Sequence, residues 1–431
     1  MTKRVDRNFA LMFLVMLTVA AANTALQSVL PALGRSLGVS DAAVAAAFSV
    51  SALLWVVAAP FWANRSDRQG RRTMILLGMG GLVASLMICG VFLLMGINGY
   101  ISGPAAFALF IVGRLIYGSL GAAAPPAVQA LVAGSTTREE RTKALTLLAS
   151  AFGLGTIVGP AIAPWLILGS IGGVEVGLAG PAFIMAGFGM LVWLFVRRML
   201  PDDRPQPRAE GDASGAQSAY PSIGGAPTGA SVRAATASRS EPVGFFDPRI
   251  RAWVIVGLVM GHAQAMTSQA IGFLVIDRLN LAPIAALEPT GIVLMMGAGA
   301  ALLVQWGIIP MLNLNPRQLV LIGLAISAVG TALTGLATSL FGIATAFALA
   351  SLGFGFSRPG FTAGASLAVG PEAQGSVAGK VTSVNGASFV LGPSIGVGLY
   401  GMQQSLPYLT AGAACVVMAV YAWVALREKP A

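Results

Sequence analysis

The chain has 431 residues, 56% of them hydrophobic and only 10% charged, with a formal net charge of +10. A soluble protein of this size carries about a quarter of its residues as charges, so this composition excludes an ordinary water-bathed globule. The basic excess fits either a nucleic-acid partner or the Lys- and Arg-rich inner loops of a membrane protein, and the placement of the charges favours the second.

The apolar residues fall in long runs rather than in alternation. A run of about 20 crosses the hydrocarbon core as a helix, and in lipid only helices or closed barrels satisfy the backbone. The two-residue alternation of barrel strands is not seen. The runs predict twelve spans: 9–33, 43–63, 73–96, 104–133, 144–169, 179–196, 251–276, 289–312, 318–337, 340–369, 376–401 and 405–426. The basic stretch Met1–Asn8 precedes an apolar run too long for a signal peptide, so the first run is read as a retained span. Cys89 and Cys415 lie inside apolar runs and read as inert core thiols, with no disulfide implied.

Lys and Arg orient the spans. Lys3, Arg4, Arg7, Arg65, Arg68, Arg71, Arg72, Arg138, Arg141, Lys143, Arg197, Arg198, Arg317, Lys380, Arg427 and Lys429 fall on one side; only Arg35 and Arg278 fall on the other. Both termini are therefore expected in the cytoplasm, with the protein in a cell (inner) membrane. Residues 199–248, with Pro201-Asp202-Asp203-Arg204-Pro205 and Ser214-Gly215-Ala216, read as a disordered cytoplasmic linker, with a regulatory role as the alternative. The domains are then 1–198, a six-helix half, and 249–431, a second one.

A shift of 233 residues lays Pro126–Pro160 on Pro359–Pro393 without a gap. The identities include Pro126/Pro359, Glu139/Glu372, Gly153/Gly386, Gly159/Gly392 and Pro160/Pro393. The shift carries one six-span half onto the other, and parallel repeats with broken helices are typical of transporters. The fold class is thus an all-α polytopic membrane protein, twelve transmembrane helices in two pseudo-symmetric halves.

Three stretches carry chemistry. Between spans two and three, Asp67-Arg68-Gln69-Gly70-Arg71-Arg72 offers a carboxylate for a helix N-terminus and arginines for carboxylates or helix C-termini; a plain basic loop is the alternative. In span four, Arg114 stands in Gly113-Arg114-Leu115-Ile116-Tyr117-Gly118. An intramembrane Arg is costly and normally marks function, unless it snorkels to the interface. In span five, Gly155-Thr156-Ile157-Val158-Gly159-Pro160 places two glycines four residues apart, which lets helices approach closely, ahead of a Pro that bends the helix; ordinary small-residue packing is the alternative. Together these stretches resemble signatures of the major facilitator superfamily. The first is similar to its cytoplasmic gate motif, with Ala63 and Arg65 in place of the leading Gly and Leu. The second is similar to its span-four motif, and the third to the signature of the twelve-span drug:proton antiporter branch, with Ala163 in place of its last Gly. The resemblance implies a cytoplasmic gate at Asp67, Arg68, Gly70, Arg71 and Arg72. It also implies an antiporter-like helix at Gly155, Gly159 and Pro160, sealing the outer face.

Proton-coupled exporters of this kind often carry an Asp or Glu within a span. None of the 16 acidic residues here lies mid-span; Asp277 ends span seven at the outer face. His262 is the only His and lies near the middle of span seven. Imidazole titrates near neutral pH, so His262 is a candidate proton carrier or substrate ligand, against a satisfied packing histidine. Arg358 precedes Pro359 in span ten. Two arginines without a mid-span acid would favour an anionic or strongly polar substrate. The candidate substrate or coupling residues are Asn23, Gln27, Arg114, Gln129, His262, Gln264, Arg358 and Asn385.

The function expected is efflux of a small amphiphilic compound by proton antiport, with alternating access by rocking of the two halves. Uptake or facilitated diffusion of a polar or anionic metabolite is the second transport reading; a receptor or scaffold that keeps the fold is the third. No nucleophile constellation argues for an enzyme, and no Gly-x-x-x-x-Gly-Lys-Ser/Thr loop argues for ATP drive. The partners expected are a small-molecule substrate, the bilayer and possible coupling protons for a monomer without nucleic acid, metal or cofactor.

Overall fold

A computed structural model describes residues 3–135, 138–201, 243–312, 314–370 and 373–426. The chain divides into two compact units.

The first unit holds α1 (Lys3–Ser36), α2 (Asp41–Gln69), α3 (Arg71–Ile97), α4 (Gly103–Ser119), α5 (Ala124–Ser135), α6 (Arg138–Ile162) and α7 (Gly180–Met199). The second holds α8 (Arg251–Arg278), α9 (Leu287–Leu302), α10 (Pro316–Leu336), α11 (Leu340–Leu367), α12 (Gln374–Met402) and α13 (Leu406–Ala425). Among the described residues, ten spans are long and apolar enough to cross a membrane, α4 with α5 counting as one. Their outward faces carry large exposed apolar side chains such as Val57, Leu191, Phe341 and Trp423, as helices bathed in lipid do. This is a multi-pass membrane protein.

Among the ten spans, the first helix of each half is the most enclosed. Within the apolar window, α1 and α8 are each 72% buried, against 28% for α13. The cause is in the sequence. Each helix has a stretch of small side chains, Ala20-Ala21-Ala22 in α1 and Gly261, Ala263 and Ala265 in α8, that admits neighbours within its own half.

Three local features depart from uninterrupted spans. Span four breaks into α4 and α5 through a 3₁₀ turn, Gly121–Ala123, ahead of Pro125-Pro126. In the turn the Ala123 N–H bonds Leu120 O instead of Ser119 O, and the Trp62 indole N–H serves the freed carbonyl by donating to Ser119 O at 2.7 Å. Span five was expected to run to 169, but α6 ends at Ile162 and a 3₁₀ turn takes Ala163–Leu166. An antiparallel hairpin follows, Leu168–Ile171 paired with Val174–Gly177. Its two-residue turn is Gly172-Gly173, at φ 61 and 84, a left-handed pair that glycine adopts without strain. Asn98 holds the hairpin to the end of α3 by accepting from Glu175 N at 2.9 Å and donating to Glu175 O at 2.8 Å. In span eight, a π-helical turn, Leu303–Ile308, follows α9 and leads into Ile309–Leu312. Such turns are rare and gather at functional sites.

Of the expected linker, 202–242 lies outside the described residues. Val243, buried, ends that stretch on α12: Ser376 Oγ accepts from its N–H at 2.9 Å. Lys380 Nζ lies 4.4 Å from the ring centroid of Phe245.

Candidate functional site

The site in the first half is built around one turn of α1, Ala21–Ala25. Gly159 of α6 is seated on it. A Cβ there would lie 2.5 Å from Ala21 O and 2.8 Å from Ala25 N, and closer still to Thr24 Oγ1. One turn earlier on α6, a Cβ on Gly155 would meet Leu17 O at 2.5 Å and Ala21 N at 2.9 Å. The Thr24 hydroxyl donates to Ala20 O at 2.9 Å and lies 3.3 Å from Gly155 O. The two glycines are therefore what allows the α6 backbone to rest on that of α1. Pro160, buried just beyond them, lies inside α6 two residues before it ends.

On the same turn of α1, Asn23 holds Arg114. Arg114 Nη2 donates to Asn23 Oδ1 at 2.9 Å, and the Arg114 side chain is only 1% exposed. Its guanidinium lies 5.0 Å from the Phe48 ring centroid and 4.8 Å from that of Tyr117. Guanidinium over aromatic faces is an electrostatic attraction that strengthens with desolvation. Trp55 backs the box, its ring 5.1 Å from Tyr117. Gly118 makes room for the approach of α2, since a Cβ there would meet Ser51 O at 2.5 Å. Arg114 does not snorkel to an interface; it is enclosed within its half.

The second half also pairs a buried arginine with an amide, at positions that the 233-residue shift does not match to Arg114 and Asn23. Arg358 is 6% exposed, and its Nη2 donates to Asn385 Oδ1 at 3.4 Å, with the ring of Phe389 at 6.0 Å. Gly396 of α12 rests on α8: a Cβ there would lie 2.6 Å from Met266 O. His262 turns back on its own helix, its Nδ1 2.8 Å from Leu258 O. A carbonyl only accepts, so in this contact Nδ1 is the donor. His262 is half-buried and Gln264 buried; two residues apart on a helix, they project to different faces. Gln27 on α1 and Gln129 on α5 are half-buried. The structure thus joins Asn23 to Arg114 and Arg358 to Asn385, and it separates His262 from Gln264.

At the gate-like sequence, Gly70 sits between α2 and α3 with φ 91, a left-handed conformation suited to glycine. Arg72 Nη2 donates to Arg197 O at 2.6 Å, in the last turn of α7. Arg71 is half-buried, and the side chains of Asp67 and Arg68 lie outside the described residues. Sequence reasoning missed the counterpart in the other half. Arg317, at the start of α10, donates from Nη2 to Trp423 O at 3.0 Å near the end of α13 and stacks on the Trp423 ring at 5.0 Å. The signal was the Asn315-Pro316 helix start, whose capping box pairs Asn315 with Gln318.

The family model of the Major Facilitator Superfamily matches residues 12–314, and the chain belongs to that superfamily. It is 30% identical over 145 residues to the class B tetracycline resistance protein of Escherichia coli, covering 34% of this chain and 31% of that one. It is 36% identical over 115 residues to multidrug resistance protein 2 of Bacillus subtilis, covering 27% and 25%. The chain thus spans about a third or less of the length of these curated relatives. Among solved structures, a bacterial homolog to the human lysosomal transporter Spinster superposes with TM-score 0.73 at 12% identity, covering 100% of both chains. The human organic anion transporter MFSD10 (TETRAN) superposes with TM-score 0.66 at 18% identity, covering 98% of this chain and 100% of that one. At these identities the two solved structures share the fold of this chain.

Proposed function

We infer that the protein exports a small amphiphilic compound in exchange for protons, by alternating access, with both termini on the cytoplasmic side of the cell's inner membrane. One observation carries this reading: two sequence features far apart in the chain meet on a single turn of α1. Gly155 and Gly159 rest on its backbone, and Asn23 of that turn holds Arg114. An enclosed intramembrane guanidinium is costly and is kept for function. The relatives named for tetracycline and multidrug resistance favour export over import. In this reading Asp67, Arg68, Gly70, Arg71 and Arg72 form the cytoplasmic gate. His262 is the proton carrier, since Nδ1 is committed to Leu258 O and Nε2 remains to exchange the proton.

A second reading, uptake or facilitated diffusion of a polar or anionic metabolite, draws on the absence of any acidic residue in the middle of a span. Flux into proteoliposomes with and without an imposed pH gradient separates the two. Proton antiport predicts accumulation of a lipophilic probe that collapses when the gradient is dissipated. Counterflow indifferent to the gradient selects the facilitator instead.

A further inference from the structure

We propose that Asn23 sets the charge selectivity of the transporter: by leaving Arg114 without a countercharge, it favours substrates bearing a carboxylate or similar anionic group and disfavours lipophilic cations. This rests on the transport reading above and names its substrate class.

Arg114 touches Asn23, Phe48 and Tyr117. None of these is a carboxylate. Its Nε–H is buried with no hydrogen-bond partner among the described residues. A guanidinium has five N–H donors and is charged at any accessible pH. The amide oxygen of Asn23 satisfies one donor at 2.9 Å but carries no net charge, and the ring faces polarise without neutralising. The unit positive charge therefore stays in the half, surrounded by side chains of low polarity. No acidic residue of the chain sits mid-span to offset it.

The contact has the length of an Arg–carboxylate hydrogen bond with an amide standing in the acid's place. Asn and Asp have the same shape, so one atom decides whether the box is cationic or neutral. Arg114 is 1% exposed and Asn23 3%, so neither needs to touch the substrate. The charge acts through its field, which carries further in a low-dielectric surround than in water. A buried charge is also poorly screened, so the selectivity should change little with salt.

Asn23→Asp tests this directly. In proteoliposomes, flux of the anion dansylglycine is compared with that of the cation dansylcadaverine, which share a fluorophore. The wild type is expected to favour the anion by about tenfold or more, and Asn23→Asp to reduce or reverse that ratio by about tenfold, as an opposite charge within hydrogen-bond reach implies. Asn23→Gln, which keeps the amide, retains the wild-type ratio. Arg114→Gln, which removes the charge from the other side, also loses the preference and serves if Asn23→Asp does not fold. Equal wild-type flux of both probes overturns the selectivity, as does an unchanged ratio in folded Asn23→Asp or Arg114→Gln. A wild type that moves no probe of either charge overturns the transport reading itself.

Discussion

The two halves solve the same packing problem with glycine on opposite schedules. In the first, Gly155 and Gly159 of α6 rest on the α1 backbone. In the second, the position matching Gly155 under the 233-residue shift is Ser388, and the small residue has changed sides: a Cβ on Gly261 of α8 would collide with the Ser388 hydroxyl. Gly392 keeps the place of Gly159, and the second glycine comes one turn later, at Gly396. What is preserved is the close approach of two backbones; which helix supplies the missing side chain is interchangeable. The arginines differ likewise. Arg114 is gripped at 2.9 Å from α1, whereas Arg358 reaches Asn385 of α12 at 3.4 Å.

The glycine contacts give the largest expected effect. Gly159→Val drives a side chain into α1 backbone, and overpacking costs about 1–3 kcal/mol even where neighbours can yield. Thermal unfolding in detergent should fall by several degrees and transport should be lost, with Gly396→Val close behind. Gly398→Val, on the same helix with no neighbour within 4 Å of its Cβ, should match the wild type. Equal loss at Gly398 would break the comparison.

The next effect concerns drive. Where Gly392 rests, α8 carries His262; where Gly159 rests, α1 carries Ala21. His262→Gln should lower gradient-driven flux by about tenfold or more, while counterflow persists. Full gradient-driven flux in this variant removes His262 from the coupling path.

Smaller effects come at two helix starts. α3 begins at Gly70 with positive φ, and α10 begins at the Asn315 capping box. Gly70→Ala should cost about 1–2 kcal/mol through left-handed strain, and Asn315→Ala about 1 kcal/mol through the lost cap. Melting temperatures of the two variants check this order.

The smallest effect is at Asp247, whose carboxyl is held down to about 2, first by the Arg249 side-chain hydrogen bonds and then by the Arg249 backbone N–H. A lowered carboxyl contributes stability above its ordinary range near 4, and that contribution is lost as pH falls toward 2. Asp247→Asn should therefore leave unfolding unchanged at low pH and reduce stability only slightly near neutrality, because the turn is solvent-exposed.

Much of the molecule was legible in the chain. The spans follow from apolar runs, and Gly155, Gly159, Arg114 and Gly70 stood out by type and spacing. Their partners did not. Asn23 and Arg114 are 91 residues apart, and nothing local in α1 singles out Asn23 from Gln27 as the amide that reaches the guanidinium. The end of α6 was misplaced because Leu166-Ile167-Leu168 is as apolar as a helix, while Pro164 and Gly172-Gly173 were the signals for a turn and a hairpin. The π-helical turn in span eight left no mark in hydropathy at all.

By itself, the sequence determined that the chain is helical in lipid, doubled, and free of mid-span acid, because hydropathy, repetition and charge are properties of residues and their order. Only the tertiary structure decided that the buried arginine of the first half is met by an amide, and that the glycine pair rests on the same turn of α1. Both are contacts between distant segments, fixed by how helices pack rather than by what any one of them contains.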